Sequence, residues 1–460
     1  MNIINTSFDE IKRIKEKQEK YFNSGSTLDI KFRKKQLKKL LEAIRKYESA
    51  LSDALWIDLH KSKEEAYLTE ISIVICELKN HIKNIKQWSR RKYHATPIKM
   101  MPSRCYTQCE PLGNSLIVAP WNYPVQLLLN PLVGAISSGC TAILKPSPYV
   151  PHVSLVLANM IKEYFDEEYI AIVQGNRDVN KALFAERFDI IFFTGSPKLG
   201  KQVMEAASKN LTPVVLELGG KSPCIIDKDA NISIAARRIA WGKTLNAGQT
   251  CIAPDYLLIH SDVKDSFIVE FEKAMNQLHG KDIAKSKHYV RMVNDDAFNR
   301  VASYLSDGNI RYGGIIDASN RYISPTLLDN VAIDSPVMQE EIFGPILPMI
   351  TFDNYEDVIL FINEREKPLA LYYFGNNTTG NKILNRVSSG GACINDTIMH
   401  IANENIPFGG VGNSGLGQYH GKDSFLAFSH RKSIVITPTF IDLPFRYMPY
   451  KMFSFVKKIL

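Results

Sequence analysis

The chain lacks several features that would place it in a special class. No stretch of its 460 residues approaches the roughly 18 uninterrupted apolar residues that a membrane-spanning helix needs. It has no internal repeat and no low-complexity segment, and its polar, helix-patterned start predicts no secretory signal peptide. Hydrophobic residues make up 45% and charged residues 23% of the sequence, which is typical of a soluble globular protein.

Cysteine is scarce, and its pattern argues against two kinds of protein. The seven cysteines are an odd number in a long chain without a signal peptide, which favours free thiols and a reducing compartment such as the cytoplasm. No Cys-x-x-Cys pair and no histidine at metal-site spacing occurs, so the sequence predicts no metal centre. A disulfide-stapled secreted protein and a zinc protein are therefore not expected.

The net charge is +8, with much of the excess near the two ends of the chain. The basic run at 31–39 is typical of the solvated face of an amphipathic helix, and no stacking aromatics are interleaved with it, so no nucleic-acid partner is expected. The tail at 443–460 mixes lysines with large apolar residues. It favours either peripheral contact with an anionic membrane or packing as a closing helix, and the sequence leaves both open.

Apolar runs and helical patterns alternate over most of the chain. Residues 1–94 form a helical lead-in, and residues 105–217 repeat strand, helix and strand. A second such stretch runs from 221 to 400, and glycines concentrate at 390–421, which predicts a loop region. This order predicts an α/β fold with open parallel sheets. The apolar run at 433–443 predicts a strand that could pair with another chain's sheet.

One thiol stands in a setting suited to chemistry. Cys251 ends the run Asn-Ala-Gly-Gln-Thr-Cys between a helical and a β-rich stretch, where it can reach into a cleft. Glu217 ends a Val/Leu-rich strand directly before two glycines. A nucleophilic thiol and a nearby carboxylate are the groups needed to form an acyl-enzyme and then hydrolyse it. A structural role for each residue is the competing interpretation.

Two predicted turns carry hydrogen-bond donors that can bind a phosphate and an oxyanion. Gly195 and Gly200 follow an apolar strand and begin a helix, so backbone N–H groups there can face a phosphate. The Gly-x-Gly-x-x-Gly fingerprint is absent, and any βα loop can show this pattern. Asn122 stands between aromatic residues and two prolines, where its rigidly held amide can donate to a developing oxyanion.

Three further residues suit the riboside part of a nucleotide. Lys145 ends a strand before two prolines and can reach ribose hydroxyls, although a surface lysine is the simpler interpretation. Glu341 can accept hydrogen bonds from ribose hydroxyls with the ring of Phe343 beside it. A surface acid next to a core aromatic is the alternative.

In order and rough spacing, these segments resemble the aldehyde dehydrogenase superfamily. The resemblance covers about residues 20–447, and its class 3 branch, which takes fatty and aromatic aldehydes, is matched best. The runs at 240–256, 335–348, 362–372 and 407–433 carry the likeness to class 3.

The resemblance implies an NAD(P)-dependent oxidation of apolar aldehydes to carboxylic acids. Cys251 would attack the aldehyde, and the Asn122 amide and the Cys251 backbone N–H would hold the oxyanion of the thiohemiacetal. Hydride transfer would leave a thioester, and Glu217 would activate the water that hydrolyses it. Tyr123 and His400 would line the substrate channel, although a buried, hydrogen-bonded histidine is an equal alternative.

The resemblance also implies a cofactor site. Lys145 and Glu341 would position the two riboses of NAD or NADP, and Phe343 would lie beside the nicotinamide. The Thr194–Ser196 turn, which includes Gly195, would face the pyrophosphate.

The implied organisation is a homodimer with a Rossmann-like cofactor domain, a second α/β catalytic domain and a small β oligomerisation element. The predicted boundaries are 1–87 and 110–217 for the NAD(P)-binding domain, 218–421 for the catalytic domain, 88–109 and 422–442 for the oligomerisation element, and 443–460 for the tail.

One position departs from the family pattern. Pro148 follows Lys-Pro-Ser where the family commonly has a glutamate that accepts from the adenosine ribose. Its absence removes both an acceptor for the 2′-hydroxyl and a repulsive charge against a 2′-phosphate, so we expect NADP to be used as well as NAD.

Three other functions compete with this one. A CoA-acylating aldehyde dehydrogenase does not need Glu217 as a hydrolytic base. A cofactor-independent thiol esterase leaves the phosphate turn, Lys145 and Glu341 without a purpose. A catalytically idle scaffold is disfavoured because Cys251, Glu217 and Asn122 are all present.

Overall fold

The structure of the protein is a computed structural model that describes residues 5–442, 444–450 and 453–459. The first four helices lie within the predicted helical lead-in at 1–94, and the first two begin at the polar caps Ser7 and Asp29. The helices are α1 (Phe8–Asn23), α2 (Ile30–Leu59), α3 (Lys63–Ala66), α4 (Ser72–Trp88), α5 (Gln126–Ser138), α6 (Pro151–Tyr164), α7 (Arg177–Ala185), α8 (Pro197–Ser208), α9 (Ile232–Thr244), α10 (Lys264–His279), α11 (Asp295–Ser303), α12 (Pro336–Gln339), α13 (Tyr355–Asn363), α14 (Asn377–Leu384), α15 (Lys422–Ala427) and α16 (Phe453–Ile459).

The strands of the described residues form two large sheets, a small antiparallel sheet and a two-stranded ribbon. They are β1 (Lys92–His94), β2 (Arg104–Pro111), β3 (Asn114–Val118), β4 (Thr141–Lys145), β5 (Ile170–Ile172), β6 (Ile190–Thr194), β7 (Val214–Glu217), β8 (Pro223–Ile226), β9 (Tyr256–His260), β10 (Asn309–Tyr312), β11 (Ile316–Asp317), β12 (Tyr322–Ile323), β13 (Thr326–Asp329), β14 (Ile346–Phe352), β15 (Ala370–Phe374), β16 (Gly391–Ile394), β17 (Gly415–Leu416) and β18 (Ser429–Ile436).

The first large sheet has the order β17-β7-β6-β3-β4-β5. Apart from β17, its strands are parallel, and β3, β4 and β6 are buried along their whole length, which explains their continuous apolar sequences. Val118 pairs with Lys145, and Thr194 pairs with Glu217. The sheet therefore brings three of the predicted site residues, Lys145, Thr194 and Glu217, to its carboxyl edge.

The glycine-rich segment folds against this edge. Gly415 in β17 pairs antiparallel with Glu217, and the Leu218 N–H donates to the Ser414 carbonyl at 3.1 Å. A Cβ on Gly410 would lie 2.1 Å from that carbonyl oxygen, so the close approach requires glycine. The region predicted as loop at 390–421 thus contains two short strands, β16 and β17, and covers the strand that carries Glu217.

The second large sheet has the order β10-β13-β14-β9-β8-β15-β16 and is parallel except for β10. Cys251 lies in the loop before β9, and Glu341 lies in the loop before β14. Because β9 and β14 are parallel neighbours, both loops lie at the amino edge of this sheet. The α/β fold with open, mostly parallel sheets is confirmed, whereas the domain boundaries stay a prediction.

The third sheet, β1-β2-β18, is antiparallel. The strand predicted at 433–443 is correctly located but wrong in extent, because β18 begins at Ser429 and ends at Ile436. Pro438 follows shortly afterwards and has no N–H group to donate to a sheet ladder.

No helix among residues 5–442, 444–450 and 453–459 is both long enough and apolar enough to cross a bilayer. Of the tail in which membrane contact is predicted, Leu443, Lys451, Met452 and Leu460 lie outside the described residues. Phe453, at the start of α16, is 66% exposed.

A buried carboxylate ties α4 to the glycine-rich segment, and this tie can be tested. Glu77 Oε1 accepts hydrogen bonds from His81, from the Gly421 N–H at 2.7 Å and from Ser424 at 2.9 Å. We expect Glu77→Ala to lower the free energy of unfolding by about 3 kcal/mol, because it leaves buried donors without an acceptor. Chemical denaturation measures the loss. Lys79→Ala on the exposed face of the same helix is the control, and an equal effect of both variants would contradict the assignment.

Candidate active site

A cleft of about 1000 Å³ lies where the carboxyl edge of the first sheet meets the amino edge of the second. Most of the residues predicted from the sequence for catalysis and cofactor binding share it. Those that line the cleft are Asn122, Thr194, Gly195, Ser196, Glu217, Cys251, Glu341 and Phe343. Lys145, Gly200, Tyr123 and His400 do not line it.

The loop that carries Cys251 begins with an unusual turn. Asn246, Ala247 and Gly248 all have positive φ values, of 52°, 52° and 73°. A Cβ on Gly248 would lie 2.3 Å from the Gly344 carbonyl oxygen, so this loop packs tightly against the loop that carries Glu341. Left-handed conformations at non-glycine residues are unfavourable and persist only where surrounding contacts fix them.

The Cys251 thiol is half-buried and lies among carboxyl groups. Burial raises its pKa, the Glu341 and Glu217 carboxyls raise the pKa further, and the backbone N–H groups of Cys251 and Ile252 lower it in part. Burial and the two carboxyls thus favour the neutral thiol over the thiolate. The two N–H groups beside it are placed to serve an anion that forms at this point.

Glu217 faces the cleft from the end of β7. Its side chain is buried, with the residue 3% exposed, and neither carboxylate oxygen has a hydrogen-bond partner among the described residues. Burial raises the pKa of this carboxyl well above its ordinary value. A carboxylate with a raised pKa and free oxygens is a stronger base toward water than an ordinary carboxylate.

Asn122 is held between the two sheets. Its amide Nδ2 donates to the Gln249 carbonyl at 3.0 Å, and its backbone carbonyl accepts from Asn246 Nδ2 at 2.9 Å. The residue is 2% exposed and lines the cleft. Because an amide nitrogen carries two N–H groups, one donor remains for a ligand.

The Thr194–Ser196 turn has the features of an anion site. Ser196 caps the N-terminus of α8 by accepting from the Leu199 N–H at 3.4 Å. The Thr194 hydroxyl is buried and has no partner in the described structure. Gly200 faces inward instead: a Cβ there would lie 2.7 Å from Leu218, so this glycine allows α8 to pack on the segment after β7.

Glu341 and Phe343 close the opposite side of the cleft. Burial, together with the charge of Asp255, raises the pKa of Glu341 to about 8. A Cβ on Gly219 would lie 2.0 Å from Glu341 Oε2, so the carboxyl packs directly on the backbone after Glu217. The ring of Phe343 meets Trp121 edge-on, with centroids 5.4 Å apart.

Two residues hold this loop that the sequence analysis did not identify. Lys221 Nζ donates to the Val337 and Glu340 carbonyls, both at 2.8 Å, and pairs with Asp255. Arg300 donates to the carbonyls of Glu341 at 3.2 Å and of Ile342 at 2.9 Å. Lys221 could have been noticed because it follows the two glycines after Glu217, whereas Arg300 lies in a segment without a motif.

Three predicted residues lie near the cleft without lining it. Lys145 Nζ donates to the Pro146 carbonyl at 2.8 Å, and burial lowers the pKa of this amine to about 8. The Tyr123 hydroxyl lies 2.7 Å from the Thr250 hydroxyl, directly before Cys251. The His400 imidazole lies 3.5 Å from the Cys393 thiol.

The donor set fits a dinucleotide. The unpartnered Thr194 hydroxyl, the N-terminus of α8 and the free Glu341 Oε1 offer groups for a pyrophosphate and for ribose hydroxyls. The aromatic pair Trp121 and Phe343 offers a wall for a flat ring.

The raised pKa of Glu341 has a consequence for stability. The folded protein holds this proton up to about pH 8, whereas the unfolded chain loses it near 4.5, so unfolding releases a proton between these values and stability falls as pH rises. Glu341→Gln should remove this effect and gain about 3–4 kcal/mol relative to the wild type between pH 5 and pH 8. Chemical denaturation at pH 5 and at pH 8 measures the free energy of unfolding of each protein, with Glu340→Gln at an exposed residue as the control. Parallel pH curves for Glu341→Gln and the wild type would contradict the prediction.

Comparisons with known proteins show the family of this chain. The model of the aldehyde dehydrogenase family matches residues 2–434. A Staphylococcus aureus 4,4'-diaponeurosporen-aldehyde dehydrogenase is 47% identical over 99% of this chain and 99% of its own. A dimeric NADP-preferring aldehyde dehydrogenase of Canis lupus familiaris is 43% identical over 93% of this chain and 95% of its own.

The comparison with solved structures gives the same family. A solved structure of the Staphylococcus aureus AldH in a substrate-bound state superposes with a TM-score of 0.96 at 47% identity, over 97% of this chain and 99% of that one. The predicted family, enzyme class and nicotinamide cofactor are thereby confirmed. The chain belongs to the aldehyde dehydrogenase family, whose members oxidise aldehydes with NAD or NADP.

Proposed function

We propose that this protein oxidises apolar aldehydes, aliphatic or aromatic, to carboxylic acids through a thioester on Cys251. The observation that carries the proposal is that Cys251, Glu217 and Asn122, which are far apart in sequence, line one cleft together with the Thr194–Ser196 turn. A nucleophile, a base and an oxyanion donor are the groups that acyl-enzyme chemistry requires.

The first step belongs to Cys251. The thiol first releases its proton to solvent; the thiolate then attacks the aldehyde carbon, and the carbonyl electrons move onto the oxygen to give the thiohemiacetal oxyanion. The free N–H of the Asn122 amide and the backbone N–H of Cys251 donate to this oxyanion. The hydrogen bonds from these donors strengthen as negative charge develops on the oxygen. They therefore lower the activation barrier rather than merely bind the substrate.

The second step belongs to Glu217. NAD or NADP, when bound, supplies the hydride acceptor that converts the thiohemiacetal into the thioester. Glu217 then takes a proton from water, the hydroxide attacks the thioester carbon, and the carbon–sulfur bond breaks to release the acid and the thiolate. The raised pKa of Glu217 keeps it basic enough for this role.

An apolar substrate is supported by the surroundings of the thiol. The Tyr372 hydroxyl donates to the Ile252 carbonyl at 2.6 Å, and the rings of Tyr372 and His400 are 6.1 Å apart. Trp121 also lines the cleft, and the Tyr123 hydroxyl contacts Thr250, the residue before the thiol. The relative named for 4,4'-diaponeurosporen-aldehyde and the likeness to class 3 favour the same substrate class. Tyr123 and His400 are accordingly proposed to contact the aldehyde.

The remaining cofactor assignments are part of the proposal. Thr194, Gly195 and Ser196 face the pyrophosphate, and Glu341 accepts from a ribose. Lys145 serves the other ribose if its amine leaves the Pro146 carbonyl, to which it donates in this structure.

The competing functions explain less of the site. A CoA-acylating enzyme gives no role to a buried Glu217 with both oxygens free. A cofactor-independent thiol esterase gives no role to the Thr194 hydroxyl or to Glu341. The homodimer, the cytoplasmic location and the membrane contact of the tail stay predictions.

The reaction can be tested on Cys251 and Glu217. We expect Cys251→Ala to abolish NAD(P) reduction with a medium-chain aldehyde, because the nucleophile is gone. We expect Glu217→Gln to retain a burst of one equivalent of reduced cofactor and then to turn over about a hundredfold more slowly, because the thioester accumulates. Stopped-flow absorbance and product analysis measure both.

The control for this test is Cys109→Ala, which removes another half-buried thiol on β2 and should leave turnover unchanged. Release of acyl-CoA instead of free acid when CoA is added would favour the acylating enzyme. Ester hydrolysis at full rate without any cofactor reduction would favour the esterase.

Cofactor choice tests the role of Pro148. We expect the wild type to use NAD and NADP with comparable kcat/KM. Pro148→Glu should lower kcat/KM for NADP at least tenfold more than for NAD, because the carboxylate repels a 2′-phosphate. Pro148→Gln is the neutral control of the same shape. A wild-type preference for NAD beyond about a hundredfold, nearly 3 kcal/mol, would contradict the interpretation.

A further inference from the structure

A buried ion pair lies behind the turn that carries Asn122, and the reaction described above gives it no role. The side chains of Lys61 and Glu70 are both 0% exposed, and Lys61 Nζ lies 2.6 Å from Glu70 Oε1. Removing two charges from water costs several kcal/mol per ion, and their mutual attraction offsets this only when further hydrogen bonds complete the pair. The partners of those further bonds therefore show what the pair holds.

The further bonds end on the Asn122 turn. Lys61 Nζ donates to the Asn122 carbonyl at 3.1 Å and lies 4.3 Å from the centre of the Tyr123 ring. Glu70 Oε2 accepts from the Val125 N–H at 2.8 Å. The pair thus fixes the turn in its middle and at its end, where α5 begins.

The backbone around Glu70 is irregular in a way that fits this contact. Residues Tyr67–Ile71 form a π-helical turn between α3 and α4. Such a turn holds one residue more than an α-helical turn, changes the direction of its side chains and occurs often at functional sites. One turn earlier, Glu65 accepts from the Asn246 N–H at 2.8 Å, so the same segment also contacts the loop that carries Cys251.

We propose that Lys61 and Glu70 are positioning residues for the Asn122 amide. By fixing the turn, they keep the free Asn122 N–H aimed at the point where the oxyanion forms. The proposal rests on the proposed function, in which Asn122 donates to that oxyanion. Because the oxyanion forms only after the aldehyde has bound, loss of the pair should lower kcat and leave KM nearly unchanged.

The test uses the double variant Lys61→Met/Glu70→Gln, which removes both charges and keeps similar shapes. Single variants would leave one buried charge unpaired and destabilise the fold, whereas the double variant should keep a melting temperature close to that of the wild type. We expect its kcat with a medium-chain aldehyde to fall about tenfold or more, with KM changed less than about threefold. A wild-type kcat in the folded double variant would overturn the proposal.

A matched control is available in Asp58→Asn. Asp58 is also a buried carboxylate that accepts a backbone N–H, from Val153 at 2.9 Å, and a second bond from His152 at 2.6 Å, but it joins α2 to α6 away from the cleft. We expect this variant to lose stability without any loss of kcat. An equal loss of kcat in Asp58→Asn would show that the effect of the double variant is merely structural, which would also overturn the proposal.

The route of the effect is tested by combining the double variant with Asn122→Ala. If the pair acts through Asn122, adding the double variant to Asn122→Ala should change kcat by less than about twofold relative to Asn122→Ala alone. An undiminished loss in the Asn122→Ala background would overturn the positioning role while the proposed function stands. Full activity of Asn122→Ala alone would contradict the assignment of Asn122 as oxyanion donor, and it would also overturn the positioning role of Lys61 and Glu70.

Discussion

The left-handed turn at Asn246–Gly248 is the constraint on which the site depends. Ala247 has no side chain that could hydrogen-bond to its own backbone, so its positive φ costs about 1 kcal/mol or more. The turn persists because its neighbours hold it: Glu65 accepts from the Asn246 N–H, and the Asn246 amide donates to the carbonyls of Asn122 and Gln249. Through this one turn, the loops that carry Cys251, Asn122 and Glu341 come into contact.

The same packing removes water from three acidic groups. The Cys251 thiol and the Glu217 and Glu341 carboxyls all have raised pKa values, with burial as the main cause. Lys221, one of the cations that line the cleft, is already bound to Asp255 and to two carbonyls. Because burial is the main cause, the cleft disfavours charge on all three groups until a ligand changes their surroundings.

The sequence predicted the parts of the site that lie at strand ends and in motif loops. Glu217, Thr194 and Lys145 follow apolar runs, and parallel strands bring such ends to one edge, so their approximate place could be deduced. The direction of the Lys145 amine could not be deduced, because the amine donates to the neighbouring Pro146 carbonyl.

Residues whose partners are distant backbone atoms were not predictable. Lys61, Glu70 and Arg300 act on carbonyl and N–H groups of segments far along the chain, and no spacing or residue pattern records such a contact. The C-terminal end of β18 at Ile436 has a local cause, because Pro438 lacks the N–H group that would continue the ladder.

The proposed nucleophile Cys251 precedes a strand of the second sheet and the proposed base Glu217 ends a strand of the first, so their separation depends on the links between the sheets. Gly415 returns from the second part of the chain to pair with Glu217, and Asn122 donates to the Gln249 carbonyl near Cys251. Asn122 is thus both a link and the proposed oxyanion donor. A hydroxyl side chain has a single hydrogen to donate and could do only one of these, whereas the amide nitrogen carries two. The need to tie the sheets together and still offer a donor to the cleft explains why an amide stands at this position.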